Sequence, residues 1–177
     1  LATCAITNLV FADRPEAIEA WELARADAHA RGSLFAISSL SMWWGFTQYW
    51  RGELGEAEES LRAALNEFEL WGYGEQQAQI YCDAFLAAVL RERGDLEGAI
   101  AALREAVAVE AGYVRGWLEL GLCLQDSGAL DEAIEVYRVA LGRDRSLYPA
   151  ILRNLTSSSK GRLWLRPADL RRALLGD

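Results

Sequence analysis

The sequence predicts an all-α fold, an array of about five antiparallel helix hairpins stacked on one another. Three observations predict it. The string RGDLEGAIAALREAV at 93–107 is echoed by SGALDEAIEVYRVAL at 127–141. Two looser copies, ADRPEAIEAWELAR and RGELGEAEESLRAAL, lie upstream. Apolar residues make up 52% of the 177-residue chain and proline occupies only three positions, so the helices have both a core to build and few breakers.

Register carries the repeat argument. Gly94 aligns with Gly128, Ala99 with Ala133, Leu103 with Tyr137 and Ala106 with Ala140, each pair 34 residues apart. The second copy supplies Gly52, Ala57, Leu61 and Ala64, and the first Ala17, Trp21 and Ala24. The leading small residues Ala17, Ala57, Ala99 and Ala133 are thus separated by 40, 42 and 34 residues.

Each position has a local reason. Gly52, Gly94 and Gly128 are placed to end one helix in the left-handed conformation that glycine adopts without strain. Asp95 and Asp131 follow at the start of the next helix, where a carboxylate suits the positive end of the helix dipole. The alanine marks a close crossing of two helices. A bulky residue four further on, then an alanine three after that, continues the same face. Before the last glycine, Trp117, Leu120, Gly121 and Leu124 show the apolar spacing of the partner helix.

In chain order the units are expected near 1–31, 33–71, 74–110 and 113–145. The shift of period falls by Trp71-Gly72-Tyr73-Gly74, a candidate kink. Residues 148–177 break the register. YPAILRNLTSSS predicts a first helix with Leu152 and Leu155 on one face. Pro167 then suits a first helical turn, with Leu170 and Leu174 four apart and Trp164 as a packing anchor. Such a shortened hairpin caps an array.

The repeat resembles the tetratricopeptide repeat family, most closely over residues 80–147. Trp117, Leu120, Gly121, Ala133, Tyr137 and Ala140 stand at its signature positions, with Arg145 where the family usually has proline. Leu86, Leu90, Ala99, Leu103 and Ala106 match in the preceding unit. The N-terminal units are similar in repeat length and alanine-rich texture to helical-repeat sensor segments of LuxR-family bacterial regulators that resemble the maltose activator. The tetratricopeptide resemblance implies a right-handed superhelical solenoid over residues 1–147.

The formal charge of −8, with a single lysine, Lys160, disfavours a nucleic-acid surface. Residues 148–177 carry six basic and two acidic side chains, net +4, against −12 for the rest. Cys4, Cys82 and Cys123 show no metal spacing and suit reduced thiols. No apolar run reaches the ~20 residues of a membrane span. Without an initiator Met or signal peptide, the chain reads as a segment of a longer cytoplasmic protein.

Motif-like strings carry little chemistry. Ser157-x-x-Lys160 lacks the companion strings of serine acylating enzymes. Asn154-Leu155-Thr156 reads as a glycosylation acceptor only in a secreted chain, and Gly72-Tyr73-Gly74 lacks the third glycine of a dinucleotide loop. His29, the single histidine, sits near a helix C-terminus and reads as solvated. No enzyme, cofactor or metal is expected.

The resemblance implies that the first helix of each hairpin lines a concave groove. It places Ser39, Met42, Trp43, Phe46, Tyr49 and Trp50 there, then Tyr81, Ala84, Phe85, Ala88, Arg91 and Glu92, then Arg115, Leu118, Glu119, Leu122, Gln125 and Asp126. Trp43, Phe46 and Trp50 form one helical stripe, and two readings of the aromatics stand open: buried core, or an exposed trough. Trp44 is assigned to packing between hairpins. Leu118, Glu119 and Leu122 replace the Lys, Asn and Arg with which family members grip chaperone tails, so that clamp is not expected. The expected role is a non-catalytic scaffold binding a peptide, helix or partner domain. The alternatives are a small-molecule-sensing segment of a transcription regulator, or a spacer or self-association module of a larger enzyme.

Overall fold

A computed structural model describes residues 2–71, 76–157 and 167–176. Those residues are all-α: ten α-helices and one short 3-10 turn. The helices are α1 (Ala2–Phe11), α2 (Glu16–Ala30), α3 (Leu34–Trp50), α4 (Leu54–Leu70), α5 (Gln76–Glu92), α6 (Leu96–Val109), α7 (Val114–Ser127), α8 (Leu130–Arg143), α9 (Tyr148–Ser157) and α10 (Pro167–Leu175). They group into two compact units, Leu1–Arg93 and Gly94–Asp177.

In the first unit α1 packs on α2, α2 on α3, α3 on α4 and α4 on α5, and α3 also touches α1 and α5. Ala57, Leu61 and Ala64 are fully buried, as is Trp21 beside Ala17, so the small–large–small register lies on the packed face. Gly45 was not recognised in the sequence. A Cβ on it would lie 2.7 Å from Leu61 Cγ and 3.3 Å from the Ala57 carbonyl, so the α3–α4 crossing depends on three residues of one contact.

The glycines end helices as expected. Gly52, Gly94 and Gly128 have φ of 80°, 84° and 92°. At two of them the next N–H reaches back to close the turn, Glu53 to the Gln48 carbonyl and Ala129 to the Leu124 carbonyl, both at 2.9 Å. Gly32, which the register did not single out, ends α2 in the same way, with Ser33 N–H donating to the Ala28 carbonyl. Asp95 caps α6 by accepting from the Gly98 N–H at 2.9 Å.

In the second unit α6 packs on α7, α7 on α8, and α10 on α8. Ala99, Ala106, Ala133 and Ala140 are fully buried, with Leu103 and Tyr137 beside them. Ile151 and Leu155 form the buried face of α9 and Leu152 is only half-buried, which shifts the expected Leu152–Leu155 face by one residue. Leu170 and Leu174 are buried as their spacing predicts, and the Ala173 carbonyl accepts from Arg138 of α8 at 2.5 Å. Trp164, Lys160 and Gly72-Tyr73-Gly74 lie outside the described residues.

Candidate aromatic binding surface

Helix α3 carries no charged side chain from Leu34 to Trp50. An uncharged helix is packed from several sides, and α3 contacts α1, α2, α4 and α5 while leaving Leu34, Phe35 and Trp50 exposed. Ser38, Met42, Gly45, Thr47 and Gln48 are its buried residues. The two hydroxyls donate to carbonyls one turn back, Ser38 to Leu34 and Thr47 to Trp43, and Gln48 accepts from Ser60 of α4 at 2.7 Å. Met42, expected in the groove, is therefore core. Its side chain points to the same interior as Gly45 and Leu61 because three residues separate it from Gly45.

The other side of α3 carries Trp43, Phe46 and Trp50. Phe46 is the hub: its ring centroid lies 4.6 Å from Phe85, 5.8 Å from Trp43, 5.8 Å from Phe11 and 6.0 Å from Trp50. Trp43 also meets Phe85 at 5.7 Å, Tyr81 stacks on Phe85 at 6.4 Å, and Phe11 meets Trp50 edge-on at 5.3 Å. These separations are those of favourable aromatic pairs. Six rings from α1, α3 and α5 thus form one connected patch.

The patch is not core. None of the six rings is fully buried; Phe11 is 55% exposed, Trp50 54% and Tyr81 40%, while Trp43, Phe46 and Phe85 are half-buried. Trp43 packs against the buried cluster of Ile6, Val10, Ala17 and Trp21. Trp44 leans on the same cluster, beneath Arg25 at 5.6 Å, as expected for a packing residue. Phe11 was missed because the repeat register begins at Ala17 and assigns α1 no face. Ile6 and Val10, four apart and buried, mark that face and leave Phe11 beside it.

The remaining predicted groove residues lie elsewhere. Tyr49 is half-buried on α3. Arg115 and Glu119 belong to α7 in the second unit and face each other one turn apart at 3.9 Å. Gln125, also expected in the groove, is fully buried. It donates to the Asn154 carbonyl at 2.7 Å and accepts from the Tyr137 hydroxyl at 3.3 Å. Asn154 Nδ2 donates in turn to the Tyr137 oxygen, at 3.5 Å, so the side chain of the glycosylation-like string is engaged within a helix.

Titratable groups outside the patch read as structural. Burial, reinforced by neighbouring Asp83, pushes the Cys82 thiol well above its ordinary range, and the thiol donates to the Leu61 carbonyl. Glu67 of α4 is raised by burial, opposed by His29 and a hydrogen bond from Ser41 and by Arg25. His29 itself is exposed in the last turn of α2. Among the described residues no three His, Cys, Asp or Glu side chains gather as a metal would need, and no helix is long and apolar enough to cross a membrane.

Comparison with known families matches part of the chain. The tetratricopeptide repeat matches residues 86–148. That stretch, about a third of the chain, takes in all of α6, α7 and α8, together with Ala99, Gly121, Ala133 and Tyr137. The six rings of the patch all precede it. A comparison with curated proteins finds no match.

Proposed function

We propose that this chain is a non-catalytic scaffold that captures a protein partner, as a peptide, helix or small domain, on the aromatic patch of its first unit. One observation carries the proposal: six rings from three neighbouring helices touch one another, yet all remain partly open to solvent. Large rigid side chains give contact area at low entropic cost, and such aromatics dominate binding energies at interfaces. The hairpin pairing supports the same reading, because arrays of helix hairpins that resemble tetratricopeptide repeats present the first helices of successive units side by side. Here α1, α3 and α5 are those helices.

The test selects peptides from a random displayed library on the wild-type protein, then measures each on Trp50→Ala and Phe46→Ala. Loss of binding by about tenfold or more in both, with melting temperature lowered only modestly for Trp50→Ala, supports the patch as the site. Binders indifferent to both substitutions would place capture elsewhere and remove the proposal.

A further inference from the structure

The patch sits in a strongly acidic unit. Residues 1–93 carry fourteen acidic and seven basic side chains, net −7, so nearly all of the chain's −8 resides there. Most of its arginines are already engaged. Arg14 pairs with Glu16 at 2.7 Å, Arg51 with Glu53 at 2.8 Å, Arg31 with Asp27, and Arg62 and Arg93 share Glu58. Arg25 lies over Trp44. Asp13 follows Phe11 by two residues in the chain, is exposed, and has no ion-pair partner among the described residues.

We infer that the partner segment on this patch is cationic and amphipathic, placing apolar side chains on the rings and arginine or lysine over their solvent-exposed parts, within the negative field of the unit. This rests on the proposed role of the patch and adds its chemistry. Two physical terms select that partner. The faces of Trp50 and Tyr81 are electron-rich and attract a guanidinium or ammonium group. The net negative field of the unit steers cations toward the patch and repels acidic segments, nucleic acid and anionic lipid.

The experiment uses three fluorescein-labelled twelve-residue peptides with the same leucine and tryptophan positions and with arginine, glutamine or glutamate at the other sites. Fluorescence anisotropy is read on wild type, Trp50→Ala and Asp13→Asn, at low and high salt. The expected result is that the arginine peptide binds on the order of tenfold more tightly than the glutamine peptide, and the glutamate peptide least. Added salt should narrow that order. Trp50→Ala should lose binding, and Asp13→Asn, which keeps a residue tolerant of the φ of 50° at that position, should weaken the arginine peptide about twofold. If the glutamine or glutamate peptide binds as well as the arginine one and Trp50→Ala abolishes it, the patch stands and its cationic preference is overturned. If no peptide binds, or Trp50→Ala changes nothing, both the patch and its preference fall.

Discussion

A Cβ added to Gly121 would lie 2.4 Å from a ring carbon of Tyr137, so α7 and α8 meet at a contact that only glycine permits. The ring cannot yield cheaply, because it is fully buried and its hydroxyl is engaged with Gln125 and Asn154. Gly121→Ala should therefore destabilise by ~1–3 kcal/mol, reversing the usual gain of alanine over glycine within a helix. Gly142, in the last turn of α8, has no atom within 4 Å of its added Cβ. Gly142→Ala should be neutral or stabilising by up to ~1 kcal/mol. Urea unfolding of the two variants reads both signs at once.

The C-terminal helices should be needed by the second unit. Ile151, Leu155, Leu170 and Leu174 are buried, and the Gln125–Asn154 hydrogen bond is lost if α9 is removed. Ending the chain before Tyr148 should lower helicity by more than the removed residues explain, or cause aggregation, because the face of α8 is left uncovered. Circular dichroism and size-exclusion chromatography measure this. A truncated protein with an unchanged melt would show α9 and α10 to be an independent appendage.

Stability should fall at high pH through Tyr137. Burial is the main cause that pushes its phenol from 10 up to about 12, with Asp126 and Glu119 adding and the Asn154 hydrogen bond opposing. A raised folded value means the unfolded chain releases this proton first. The contribution is then complete below pH 10 and is lost as the pH rises toward 12. The urea midpoint of the wild type should drop more steeply across that window than that of Tyr137→Phe, and parallel curves would remove the effect.

Two tryptophans of the first unit should respond oppositely to truncation. Trp21 is fully buried among Ile6, Val10 and Ala17, so Trp21→Ala should cost ~3–5 kcal/mol. Trp50, 54% exposed at the edge of the patch, should cost ~1 kcal/mol or less in the free protein. Equal losses in thermal melts would mean that Trp50 is core.

Periodicity and turn chemistry are local properties, so they were legible in the chain itself. Ala57, Leu61 and Ala64, or Ala133, Tyr137 and Ala140, could be assigned to one face because their spacing follows the helix and the charged residues fall on other faces. The glycines at 52, 94 and 128 could be placed at helix ends because a left-handed residue is a single-position requirement. Helix α3 offered no such contrast. Without a charged face, its sequence leaves open whether Met42 or Trp43 turns inward, and only its packing against α4 at Gly45 decides that Met42 is core and Phe46 faces outward. The same holds for Phe11 and Gln125. Phe11 joins the patch through rings of α3 far along the chain, and Gln125 is drawn inward by a carbonyl of α9. Such partners are chosen by how helices stack, a long-range outcome that no pattern within one repeat encodes.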